Sequence, residues 1–271
     1  MINCNGTLVS SLSEGDEATI HSLLHEQSVE ENLRSSKGKI LLWETHYFRI
    51  IAALRRHRFI IPMGFTMEYL KNEIQKTLEQ TPTQEEDHLI YFKFIKNQTG
   101  VYFIISVDGI PSFAPPAKVS FALDLYKEEW VPSGFFSNLS STNQTLRQIA
   151  KAYALENGLE DCVLLNDHKN LVETTSGSLY LVQGNTILTP HLESGCQDFV
   201  IRSAFNQWIG KEQSEYSLIE QAINPFELQK SEEIVLLSIE HGAQYVTHYR
   251  KTTYLQKKVG SIFEKFLKQL D

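Results

Sequence analysis

Apolar residues recur along this chain with two periods. Three- and four-residue spacing predicts amphipathic helices over Phe48 to Arg58 and Met67 to Leu78, with a Pro62-Met63-Gly64 turn between them. A third helix is expected from Asn143 to about Asn157, carrying Leu146, Ile149, Ala150 and Tyr153. Thr142 or Asn143 would cap it and Gly158 would end it. Asp198 is placed to cap a fourth through Phe199, Ile201, Ala204 and Trp208. The last helix, Leu255 to Leu270, sets Val259, Ile262, Phe263 and Phe266 on one face, and a short one covers Pro225 to Lys230. Alternating or continuous apolar runs predict strands over Met1 to Val9, Leu89 to Phe94, Val101 to Val107 and Val119 to Tyr126. Further strands are expected at Cys162 to Leu165, Leu218 to Glu220, Ile234 to Leu237 and Gln244 to Val246. Leu179 to Val182 and Thr186 to Pro190 form a hairpin about Gly184-Asn185. Between these elements Glu173 falls in what reads as an acidic turn.

The pattern organises the chain as an N-terminal α+β domain over 1–126, a linker over 127–137 with Pro132-Ser133-Gly134, and a C-terminal domain over 138–271. A length of 271 residues suits two modest domains, and 42% hydrophobic residues suffice for a core in each. The formal charge of −8 disfavours a nucleic-acid partner, since phosphate binding needs clustered positive charge. Arg55-Arg56-His57-Arg58 is the exception, and it reads as a solvated helix face. His21 and His25 stand four apart beside Glu26, a spacing that fits a metal pair. A third ligand pattern is lacking, so surface histidines are the simpler reading and no metal is expected. Cys4, Cys162 and Cys196 show no paired spacing and suggest a reducing compartment. With no secretory signal visible and no apolar run near the ~18 residues that span a bilayer, the expectation is a cytoplasmic protein without membrane contact.

The order of pieces between Ser137 and Arg202 is distinctive. A loop and helix lead to a strand, then Glu173-Thr174-Thr175-Ser176-Gly177-Ser178, a hairpin ending Thr189-Pro190, a loop at Gly195, and a helix with an early Arg202. Upstream, a glycine turn at Gly38 is followed by an apolar stretch and His46-Tyr47-Phe48-Arg49-Ile50. This series resembles the class IV aminotransferases, the fold-type-IV enzymes that use pyridoxal phosphate (PLP). They include branched-chain and D-amino-acid aminotransferases and 4-amino-4-deoxychorismate lyase. The resemblance implies a two-domain α+β and α/β fold, like that of D-amino-acid aminotransferase, with its cleft between the domains, and a homodimer. It implies that Arg49 clasps the cofactor phosphate, with Val200, Ile201 and Ser238 in the phosphate cup. Glu173 would hold the pyridine nitrogen, or else sit in a solvated turn, and Arg34 would match a substrate-side arginine.

The same resemblance has departures. The family's Schiff-base lysine precedes the helix in a Lys-x-x-Asn pattern, and Ser140-Ser141-Thr142-Asn143 puts Ser140 in that place. No lysine occurs between Lys127 and Lys151. Phe199 replaces the cup's glycine, Leu237-Ser238 followed by Glu240 replaces a hydroxyl pair, and Ser178 stands for a common asparagine. The expected function is therefore a catalytically degenerate class IV protein, with PLP not held covalently or lost altogether and a small anionic ligand as the remaining option. The alternatives are an active aminotransferase or 4-amino-4-deoxychorismate lyase with an atypical site, a PLP-free enzyme using Ser140, Glu173 or Arg49, and a binding or scaffold role.

Overall fold

The computed structural model describes residues 1–12, 21, 23, 26–97, 100–113, 120–134, 136–140, 144–212, 215–254 and 259–270. His25, and with it the His21–His25 pair, lies outside the described residues, as do Thr142, Asn143, Val119 and Leu255. The chain divides into two compact units, Met1–Ser112 and Phe113–Leu270.

The first unit is a six-stranded sheet in the order β2-β1-β6-β5-β3-β4. Its strands are β1 (Ile2–Cys4), β2 (Thr7–Val9), β3 (Ser28–Ser36), β4 (Lys39–Ile40), β5 (Asp87–Asn97) and β6 (Gly100–Ile110). The single strand expected over Met1 to Val9 is a hairpin. Asn5 and Gly6 both take positive φ, 49° and 97°, the geometry that an Asn-Gly pair adopts in a tight turn. Helix α1 (Trp43–Arg56) begins five residues before the expected start, because Trp43, His46, Ile50, Ala53 and Leu54 make one buried stripe. Helix α2 (Met67–Gln80) is capped by Thr66, whose hydroxyl accepts from the Tyr69 amide at 3.1 Å. α1 packs on β3 and α2 on β6. On β5, Phe92 and Phe94 stack at 4.4 Å, and Phe103 of β6 meets Phe92 edge-on.

The second unit is layered, and the reason is legible in its strands. One sheet runs β12-β11-β10-β13-β14 and the other β16-β15-β7-β8-β9. Their strands are β7 (Ala122–Leu125), β8 (Asp161–Leu165), β9 (Leu171–Thr174), β10 (Ser178–Gln183), β11 (Thr186–Pro190), β12 (Ser217–Gln221), β13 (Glu233–Ser238), β14 (Gly242–Tyr245), β15 (His248–Tyr249) and β16 (Thr252–Thr253). Leu179 and Leu181 of β10 join Ile234 and Leu236 of β13 and Val163 and Leu165 of β8 in one cluster. The alternate residues Tyr180, Val182, Val235 and Leu237 pack instead under α4 (Val200–Lys211) and α6 (Gly260–Leu270), where Phe205 stacks on Phe263 at 4.3 Å. On the other sheet Cys162, Leu164 and Val172 pack under α3 (Gln144–Glu156). Strands buried on both faces need apolar residues at successive positions, so the runs at 162–165, 179–182 and 234–237 are continuous and not alternating. A short helix, α5 (Glu227–Lys230), completes the unit.

Two expectations about boundaries change. The strand read over Val119 to Tyr126 is β7, and it pairs in parallel with β8 and β15. It therefore belongs to the second unit, and the division falls at Ser112, ahead of the expected 126. Asp198 does not cap α4. Phe199 is the N-cap residue with no side-chain bond, and Asp198 accepts from the Ser203 hydroxyl at 2.6 Å. Among the described residues no helix is long and apolar enough to cross a membrane.

Candidate active site

Glu173 lies inside strand β9 with 1% of its surface exposed, not in a solvated turn. Both of its carboxylate oxygens are engaged. Oε1 accepts from Nε of Arg147 at 2.7 Å and also from Nη2, while Oε2 accepts from the Gln197 amide at 2.7 Å. A buried carboxylate needs such compensation, because leaving water unpaired would cost several kcal/mol. Arg147 comes from α3, where it shares the buried stripe with Ala150 and Ala154. The expected stripe is thus rotated: Ile149 is 51% exposed, and Arg147 is buried in its stead.

The turn after Glu173 is held from inside. Asp161, 1% exposed, accepts from the amides of Cys162 at 2.7 Å and Thr175 at 3.0 Å. It also takes the Thr175 hydroxyl at 2.6 Å, the Ser176 amide at 3.3 Å and the Ser176 hydroxyl. Both of these side-chain hydroxyls therefore face Asp161. Gly177 is required by close approach, since a Cβ there would sit 2.7 Å from the Leu237 carbonyl oxygen.

Ser140 is half-buried in the loop before α3, and its carbonyl accepts from Gln144 Nε2 at 3.3 Å. Asn138 fixes that loop by donating to the carbonyls of Leu192 at 2.8 Å and Cys196 at 2.7 Å, while its own carbonyl accepts from the Asp198 amide. The segment that receives it supplies Gln197 to Glu173 and leads into α4. Ser140, Arg147, Glu173 and the α4 start are thereby tied together. Val200 and Ile201 form the buried first turn of α4, where backbone N–H groups lack intrahelical acceptors. Phe199 packs against the cluster of Tyr180 and Phe205. Ser238 ends β13, and its hydroxyl accepts from the His241 amide at 3.0 Å. Glu240 lies 3.5 Å from His241, with its side chain 45% exposed. Arg202, 3% exposed, joins two strands by donating to the Pro190 carbonyl at 2.7 Å and to Glu220 at 2.6 Å.

The other site residues belong to the first unit. Arg49 donates through Nη1 to Glu31, whose second oxygen bonds His46 Nδ1 at 2.7 Å. Burial raises the Glu31 carboxyl, but the charge of Arg49 and the bonds from His46 outweigh it and hold the group below its ordinary value. Glu31 and His46 thus set the orientation of Arg49. Arg34 has no exposed surface: Nε and Nη2 donate to Asp87 Oδ2 at 3.0 and 2.6 Å, and Nη2 also reaches the Pro111 carbonyl. Sequence reading missed Arg147, Asp161 and Glu31. The only local signal was the spacing of Arg147 with two small residues on α3.

Against known proteins, the family model for amino-transferase class IV matches residues 28–249. The chain belongs to that family. Among solved structures, the branched-chain amino acid aminotransferase of Escherichia coli superposes with a TM-score of 0.82 at 14% identity, over 97% of this chain and 92% of that one. The branched-chain aminotransferase of Thermoproteus uzoniensis with norvaline gives 0.82 at 17% identity, over 98% and 92%. A Legionella pneumophila protein provisionally designated a 4-amino-4-deoxychorismate lyase gives 0.79 at 15%, over 92% and 93%. At these identities the likeness establishes the fold. No curated protein sequence matched the chain.

Proposed function

We propose that this chain is a catalytically degenerate class IV protein that does not carry PLP on a lysine. The observation that supports it is the loop before α3, where Ser140 stands and no lysine occurs from residue 128 to residue 150. When bound in this family, PLP supplies an electron sink and a carbonyl that a lysine amine captures. A serine hydroxyl cannot form that link. The carboxylate of Glu173, which would have to meet a pyridine N–H, already has both oxygens bonded within the fold. The residues present therefore do not fit the cofactor in its catalytic attachment. A PLP-free reaction finds little support either, because a carboxylate held by a guanidinium and an amide is a poor general base.

By the family resemblance a small phosphate or carboxylate ligand would go to Arg49, which here already gives Nη1 to Glu31, so such a ligand would have to share the guanidinium with that carboxylate. A homodimer and a cytoplasmic location belong to the same reading and rest on the family resemblance and the sequence alone. The test is incubation with PLP, borohydride reduction and peptide mapping. The expected result is no stoichiometric pyridoxyl group on any single lysine, and a saturable one-to-one adduct would reject the proposal.

A further inference from the structure

The Arg147–Glu173 pair does more than complete a buried network. In a fold whose relatives hold a cationic pyridine ring on a glutamate, this chain provides its own cation to the matching carboxylate. We infer that Arg147 is the residue that closes Glu173 to a pyridine-type ligand, so that the C-terminal unit folds around an internal counter-ion in place of a cofactor. The inference rests on the proposed loss of the lysine-bound cofactor, and it goes further by naming the residue that now satisfies the ring-binding carboxylate.

Three observations carry it. Arg147 reaches Oε1 through two nitrogens, one at 2.7 Å, and Gln197 takes Oε2 at the same distance. The arginine and glutamate side chains are 10% and 1% exposed, so water does not share the carboxylate to any extent. Arg147 stands on the α3 stripe with Ala150 and Ala154, two small residues that let the helix pack closely beneath the sheet. A protonated ring brought to Glu173 would have to displace a guanidinium held by two nitrogens and then leave that charge buried beside its own. The nitrogen of a neutral ring is itself an acceptor, and the Glu173 carboxylate has no proton to donate to it.

The test uses pyridoxamine 5'-phosphate, which has the ring and phosphate but no aldehyde to react with surface lysines. Binding is measured by equilibrium dialysis on the full chain, as wild type, Arg147→Met and Arg147→Met/Glu173→Gln. Arg147→Met should bind at least ~10-fold more tightly than the wild type, because the carboxylate is released, a gain of about 1.4 kcal/mol. The double variant should lose that gain. Equal binding by Arg147→Met and wild type overturns the inference, and so does a gain that survives Glu173→Gln. If Arg147→Met does not fold alone, pyridoxamine 5'-phosphate must restore its folded circular-dichroism spectrum while inorganic phosphate does not; failure to restore it also overturns the inference. Tight binding by the wild type would sink the role of Arg147 and leave the missing lysine link untouched. A borohydride-fixed lysine adduct with PLP would instead sink the proposed function.

Discussion

At the scale of single residues, buried carboxylates organise the chain, and each has a measurable consequence. Asp161 accepts five bonds from the 162 and 175–176 positions and keeps the Glu173 turn closed. Asp161→Asn keeps one acceptor oxygen but sets an amide N–H₂ against donors, so it should cost roughly 3 kcal/mol. Thermal unfolding checks this, and an unchanged midpoint would mean that the turn closes without Asp161. Glu31 behaves differently because its folded value lies below the ordinary 4.5. A depressed carboxylate contributes stability that is fully present above the unfolded value and lost as pH falls through the folded one. Denaturant unfolding should therefore show stability declining below about pH 4.5. Glu31→Gln should flatten that decline and lower neutral-pH stability by roughly 3–5 kcal/mol, since Arg49 is left largely buried without its anion. Identical acid slopes for both proteins would contradict the assignment. Neither carboxylate was legible in the sequence. Asp161 follows a helix end and Glu31 sits in a polar run, and in each case the partner that buries the charge is far along the chain or a backbone group.

At the scale of elements, what was legible followed from local rules. The β10–β11 hairpin about Gly184-Asn185 and the doubly buried runs of β8, β10 and β13 were readable because turn chemistry and apolar continuity are written in adjacent residues. The β9 strand was not, because only Leu171 and Val172 precede an acidic residue and its burial depends on Arg147, 26 positions earlier. The face of α3 was misjudged for the same reason: a charged residue counts as polar in a periodicity, whatever it pairs with across the fold. Arg34 was matched to a substrate arginine by its motif. Its partner Asp87 stands diagonally across β3 and β5, where Arg34 opposes Leu89, a relation that appears only with the register. These elements bear on repair of the site. Ser140→Lys returns an amine to the loop but leaves Glu173 bonded to Arg147 and Phe199 at the start of α4. Two lost charge-assisted contacts, at roughly 1.5–3 kcal/mol each, weaken PLP binding by about two to four orders of magnitude. Ser140→Lys alone should show no half-reaction with amino acids in single-turnover absorbance, and clear transamination by it would mean that only the lysine had been lost.

At the scale of the whole molecule, the class IV fold is complete, and on the proposed reading it has outlasted the family's lysine chemistry. The superposition spans 97% and 98% of the chain on two branched-chain aminotransferases, and the layered C-terminal unit has its helices and both sheets in place. If Arg147 stands in for a ligand at Glu173, as inferred above, such persistence is expected, because stability would not depend on a bound group. A homodimer is the expected assembly, and sedimentation velocity at micromolar concentration should find a dimer; a monomer alone would contradict it. The most direct measurement of the central claim is chemical. Purified protein is saturated with PLP, reduced with borohydride and mapped by peptide mass. The expected result is free-cofactor absorbance before reduction and no lysine modified to stoichiometry. One lysine carrying a full equivalent of pyridoxyl group would contradict it and return the chain to the working members of its family.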